Sequence, residues 1–165
     1  MTDYSQIKEQ MKLLKQQQLE VAKGFFSQYS MELFNKYPKL NSFGWKQYTL
    51  YFNDGDETNF GARTDIEQIY INGYRWEYDD GDGETENPNY FLGYSETNWK
   101  YDSIERKGIY SPNPFYNSDH KTLVDEIVLF LNQFEDDDLE SMFGDHKEVI
   151  VTRNGVEVEE YTSHD

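Results

Sequence analysis

Two short stretches of this 165-residue chain crowd carboxylates around glycine. Tyr51-Phe52-Asn53-Asp54-Gly55-Asp56-Glu57-Thr58 is nearly repeated as Tyr78-Asp79-Asp80-Gly81-Asp82-Gly83-Glu84-Thr85. Residues of this kind serve three ends: oxygen ligation of a divalent cation, tight turns, or a negatively charged face for a partner. An EF-hand loop requires oxygen ligands at positions 1, 3 and 5, glycine at 6 and glutamate at 12. Counted from Asp54, positions 6 and 12 hold Asn59 and Asp65; counted from Asp80, position 12 holds Phe91. Neither stretch fits, so no specific metal site and no cofactor is expected. Turn chemistry explains the glycines and the first Asp of each stretch, but not the surplus acids.

Other catalytic patterns are equally thin. The histidines are His120, His146 and His164, with no metal-binding His pair on a helix. Ser118, Asp119 and His120 are sequence neighbours, whereas a triad is assembled from separated parts of a chain. The glycines are flanked by acids, which disfavours a phosphate-cradling loop. The absence of cysteine removes thiolate nucleophiles, thiolate metal sites and disulfides. No catalytic residue is expected, and the chain reads as a non-enzyme.

Charge says more. The net charge is -17, and it is unevenly spread. Residues 1–40 carry six lysines against four acids; residues 41–165 carry 9 basic and 28 acidic side chains. The carboxylates fall in runs: Asp54, Asp56 and Glu57; Glu77, Asp79, Asp80, Asp82, Glu84 and Glu86; Glu135 to Asp138 and Glu140; Glu157, Glu159 and Glu160. Solubility of a small domain needs a net charge of only about 2–8. The excess repels nucleic acid and anionic lipid and suits a basic partner surface.

The elements that must position these groups read as one α+β domain over 1–165, a basic helix (1–40) followed by an acidic body (41–165). Ile7, Met11, Leu14, Val21, Phe25 and Tyr29 recur at helical spacing, predicting a helix over 3–37 that stops at Pro38. The Gln16-Gln17-Gln18 run interrupts that stripe, so the first half is expected to be more exposed. From Phe43 the period changes to two, predicting a strand over 43–52, a turn at Asn53–Asp56 and an antiparallel return over 58–63. Asn72-Gly73 marks a second strand pair or a bulge. Residues 79–118 read as an ordered excursion with short strands packed by its own rings. A second helix is expected over 119–134, capped by Ser118 or Asp119, with a break at the acidic run and a further turn to Phe143. Asn154-Gly155 between β-branched runs predicts a C-terminal type I′ hairpin. The sheet is expected to be mainly antiparallel. In the first hairpin, one of Tyr51 and Phe52 should anchor the turn to the core. No apolar signal core or span-length apolar run is present, so the cytoplasm is the expected compartment.

The run Trp45-Lys46-Gln47-Tyr48-Thr49-Leu50-Tyr51-Phe52-Asn53-Asp54-Gly55-Asp56 resembles a motif, W-x-Q-Y-T-x-Y-F-N-D-G-D, of a family of small acidic proteins of tailed phages and bacteria. It departs from that motif at Leu50, where the family carries proline. The resemblance covers about fifteen residues and transfers no catalytic residue. It implies an accessory phage protein acting in the cytoplasm of an infected host.

The leading expectation is a DNA-mimicking, anti-defence binding protein that blocks the basic surface of a nuclease, DNA-modifying toxin or transcription factor. The expected contacts are Asp54, Asp56, Glu57, Trp76, Asp79, Asp80, Asp82, Glu84 and Glu86. No nucleic acid or membrane is bound directly in this reading. One alternative is a structural or assembly factor that forms a homodimer through the N-terminal helix. Another is a divalent-metal-dependent enzyme using the Asp-Gly-Asp loops.

Overall fold

The helical spacing of the first forty residues becomes one rod, α1 (Tyr4–Lys36), in the computed structural model, which describes residues 3–51, 54–75 and 93–162. Strands β1 (Ser42–Thr49), β2 (Phe60–Ala62), β3 (Tyr70–Ile71) and β4 (Tyr74–Arg75) follow. A separate hairpin comes next, β5 (Thr97–Asp102) and β6 (Lys107–Pro112). Helices α2 (Ser118–Leu131) and α3 (Asp136–Phe143) lead to the closing hairpin, β7 (Lys147–Thr152) and β8 (Gly155–Glu160). The fold is α+β, with antiparallel strand pairs throughout the described residues.

β1 is the spine of the main sheet. One edge pairs with β7, and the other is shared end to end by β3 and β2. Being central, β1 buries Phe43, Gly44 and Trp45 in succession instead of alternating cleanly. Gly44 is required there: a Cβ would meet the Val149 carbonyl oxygen at 2.4 Å.

The core is largely made of rings. Phe26 meets Trp45, Phe130, Phe134 and Phe143 at 5.2–6.1 Å between centroids, and Tyr29 stacks on Phe130 at 4.6 Å. Edge and offset geometries of this sort add to the burial of large apolar area. The stripe of α1 that faces this cluster is Phe26, Ser30, Leu33 and Phe34. It is not the expected one: Ile7, Met11, Leu14, Val21 and Phe25 are exposed, and Tyr29 is half-buried. All side chains from Asp3 to Gln18 are exposed, so the first half of the helix is indeed the open half.

Several boundaries differ from expectation for local reasons. On the β7 side the Thr49 amide donates to the Asp145 side chain in place of a strand partner, and β1 ends there. Tyr51 therefore lies beyond the strand, 71% exposed, and does not anchor the turn to the core; Phe52 lies outside the described residues. α2 is capped by Asn117, whose Oδ1 accepts from the amides of Asp119 and His120, while Asp119 sits in the first turn, where its charge suits the helix dipole. α2 ends at Leu131, and the chain turns so that Phe134 reaches the ring cluster and Glu135 caps α3. Asn72 (φ 53°) and Gly73 (φ 84°) have the two positive φ values of a type I′ turn. At the C-terminal hairpin the central residues are instead Arg153 and Asn154, and the positive φ falls on Gly155, so the I′ turn does not form there. Of the excursion expected over 79–118, residues 79–92 lie outside the described residues; in the remainder β5 and β6 form, with Trp99, Tyr101 and Tyr110 exposed.

Two polar devices hold the layers together. Fully buried Gln47 accepts from Trp45 Nε1 at 2.9 Å and donates to the carbonyls of Leu139 (3.0 Å) and Gly144 (2.6 Å). The Arg153 guanidinium donates to the Phe34 carbonyl, which the end of α1 leaves orphaned, and to the carbonyls of Tyr37, Pro38 and Leu40 in the segment that follows. Leaving buried groups unpaired costs about 1–3 kcal/mol. Gln47→Leu is therefore expected to lower unfolding stability by at least that range's lower bound, as measured by urea denaturation. A variant as stable as the parent would show that the carboxamide is not a structural tie.

Candidate binding surface

Thr49 pairs with Phe60, so the described part of the first acidic stretch, Tyr51 and 54–58, lies in the loop between β1 and β2. Asp54 (φ 46°) and Gly55 (φ 91°) take positive φ in succession, which glycine adopts freely and Asp tolerates. Backbone geometry thus accounts for those two residues. Asp54, Asp56 and Glu57 are all exposed. Trp76, Asp79, Asp80, Asp82, Glu84 and Glu86 lie outside the described residues.

The root of the loop is fastened to the Gly144–His146 bend. Asp145 accepts from the Thr49 amide (2.8 Å), Thr49 Oγ1 (2.7 Å) and the His146 amide (2.7 Å). Partial burial works against the Asp145 carboxylate, but these donors outweigh it and hold its pKa below the ordinary 3.8. The Tyr51 ring stacks on the His146 imidazole at 5.3 Å. Gln47, which holds Gly144, thereby fixes the bend that carries the loop.

Other acids reach the same end of the sheet by register. Gln47 lies opposite Lys147, which lies opposite Glu160, so the end of β8 and the start of the loop are neighbours across the sheet. Cross-strand partners share a face, so Glu148 and Glu159 stand side by side on the face opposite Trp45, Val149 and Val158. Like charges directly opposed in this way are destabilising, and Lys46, opposite Glu148 on β1, offsets part of the repulsion. Glu160 is paired with Lys147. α3 runs below: Asp136 Oδ1 accepts from the Ala62 amide at 3.1 Å, and Glu135 and Asp138 form a reciprocal capping box. Asp137, Asp138 and Glu140 line a groove of about 390 Å³ with Lys15, Gln18 and Leu19 of α1. The fold therefore collects acids from 54–57, 135–140 and 148–160 around one end of the sheet. The expectation had no means of grouping the last two with the first, since only strand register brings them together.

Two further constellations were not foreseen. On the open face of the sheet, Lys46 lies over the Tyr161 ring (4.4 Å) and near Tyr70 (5.8 Å), while Arg63 covers Tyr48 (4.8 Å). These cation–π contacts tie β1, β3 and the C-terminal segment together. On the β5–β6 hairpin, Trp99 pairs directly with Tyr110, and both are exposed on one face with Tyr101. Exposed aromatic groups of this kind are characteristic of binding surfaces. Tyr94 fastens the hairpin to α2 through its hydroxyl, which donates to Asp125 at 2.9 Å.

Among the described residues, no group of three or more His, Asp or Glu side chains converges as metal ligands do, and no helix is long and apolar enough to cross a membrane. A pocket of about 250 Å³ between α1, α3 and the β7–β8 hairpin is lined by Phe26, Ser30, Met142, Phe143 and Val151, with Lys23 its one titratable lining group. That lining offers no acid–base pair. The chain matches no family model, and neither characterised proteins nor solved structures give a significant match.

The Asp145 contacts make a pH prediction. A carboxylate with a depressed folded pKa adds stability that is fully present above its unfolded value and is lost as pH falls through the folded one. Asp145→Ala should therefore cost about 1–3 kcal/mol at neutral pH, and the gap to the parent should narrow below pH 3.8. Urea midpoints across pH check this; a gap independent of pH would assign the loss to packing.

Proposed function

We propose that the protein is a non-enzymatic acidic binding protein that occupies a basic, nucleic-acid-binding surface of another protein. The observation that supports this most is the gathering of carboxylates from three distant segments around one end of the sheet, in excess of the cations, such as Lys46 and Lys147, that stand opposite them. A fold that tolerates this repulsion without needing it for solubility gains by meeting cationic charge. In this reading the carboxylates occupy phosphate positions on the target, and exposed rings such as Tyr51 and Trp99 take places that bases would fill. The motif resemblance adds the setting of a phage accessory protein in a host cytoplasm, with a defence nuclease, DNA-modifying toxin or transcription factor as target.

The test uses a variant with Asp56→Asn, Glu57→Gln, Asp82→Asn and Glu84→Gln. Immobilised parent protein should retain a partner that elutes with salt and that, while held, does not bind duplex DNA. The quadruple variant should bind that partner more weakly, most of all at low salt, because rim charges act mainly through long-range attraction. Its melting temperature should hold or rise as like-charge repulsion is relieved. Unchanged affinity, or a captured partner that still binds DNA, would sink the proposal.

A further inference from the structure

The first half of α1 carries an apolar line that the fold leaves open. Tyr4, Ile7, Met11, Leu14, Gln18, Val21 and Phe25 alternate by three and four residues, the a and d positions of a heptad. In the structure Leu14 is 64% exposed and Val21 73% exposed. The line is distinct from the one that packs on the body, which runs through Leu19, Ala22, Phe26 and Leu33. Successive residues are about 100° apart, so each seam residue from Gln18 onward sits roughly a quarter turn from its packed neighbour. From Tyr4 to Gln18 every residue of the helix is exposed, over about 22 Å, with Lys15 and Gln18 also bordering the groove to α3. A free helix of that length is marginal in water. At its far end the seam meets the body, where Phe25 lies 5.8 Å from Phe134.

We infer that this seam pairs with the same seam of a second copy, forming a parallel two-stranded coiled coil. Flanking charge selects both the partner and its direction. With Tyr4 and Met11 at a, the g positions are Asp3, Gln10 and Gln17, and the e positions are Lys8, Lys15 and Ala22. A parallel coil sets each g residue against the e residue five places on in its partner. That brings Gln10 to Lys15 with no like-charge contact, and sets the N-cap Asp3, which also accepts from Ser5 Oγ, at the Lys8 end of the pair. An antiparallel coil sets e against e, and Lys8 would then face Lys15 on both flanks. Lys8 already leans over the Tyr4 ring at 5.0 Å, beside the seam. Gln18 is a polar residue at an a position, and two such side chains meet and hydrogen-bond only when the helices are parallel and in register.

The inference is independent of the acidic-surface reading and is tested on the full chain. Sedimentation should give a concentration-dependent species of twice 19.7 kDa. Leu14→Glu should abolish it while leaving the unfolding transition of the body in place, since Leu14 is exposed and stands outside the core cluster. The chain has no cysteine, so Tyr4→Cys offers a single cross-linking point. In the parallel coil the two introduced thiols are adjacent and oxidise to a covalent dimer. In an antiparallel pair they stand about 25 Å apart and do not. A monomer at every concentration, a dimer indifferent to Leu14→Glu, a larger oligomer, or a dimer without the Tyr4→Cys cross-link would each overturn the proposal.

Discussion

The carboxamide of Gln47 is the constraint around which the rest of this structure is arranged. It lies on the central strand with no access to solvent, so its two N–H groups and its oxygen must all find partners inside. Trp45 supplies the donor; Leu139 in the middle of α3 and Gly144 just after the helix supply the acceptors. One side chain thereby fixes the indole at the centre of the ring cluster and seats α3 against the sheet. It also sets the path of Gly144 to His146. Because Asp145 in that bend takes over the hydrogen bonds of Thr49, the same constraint decides where β1 ends and from where the acidic loop departs.

The sequence carried the elements well wherever the signal was local. Helical spacing marked α1 and α2, the change of period at Phe43 marked β1, and the Asn72-Gly73 pair marked a hairpin that takes the expected positive φ values. The identical Asn154-Gly155 pair behaves differently because Arg153, just before it, is held by four carbonyls around the end of α1. That tertiary demand shifts the turn by one residue. Gln47 was equally opaque, since its acceptors lie 92 and 97 residues away. On α1 the reading joined two stripes into one: the seam that is apolar in sequence is open in the fold, while the packed stripe includes a serine, Ser30.

The same distinction sorts the acids. Turn geometry accounts for Asp54, capping for Glu135 and Asp138, a strand end for Asp136, and ion pairing for Glu160. Glu126 belongs to this structural group as well. Partial burial opposes its ionisation, but Lys36 and Tyr37 donate to it and keep its pKa low, which fastens α2 to the end of α1. Asp56 and Glu159 receive no comparable role among the described residues, whereas Glu148 lies opposite Lys46 on one side and Glu159 on the other. Charges that cost stability and serve no packing purpose are the physical substance of the binding proposal. Sequence density alone could not separate them from the structural acids.

Charge segregation links the two proposals. The helix region carries a small positive balance and the rest a balance near -19, so a parallel coil would place two strongly acidic bodies at the same end of a weakly basic stalk. The bodies would repel each other across the dimer, and salt would relieve that repulsion. Attraction to a basic target has the opposite sign: salt weakens it. Self-association and partner binding would thus respond to ionic strength in opposite directions, although the same carboxylates govern both. At low salt the target's own cations would neutralise the bodies and favour the pair. A target with two basic sites would be engaged by both copies at once, gaining affinity through effective concentration without any new contact. In that arrangement the exposed seam and the excess charge would be two halves of one device: the seam would supply the pairing, and the charge would make pairing respond to the target.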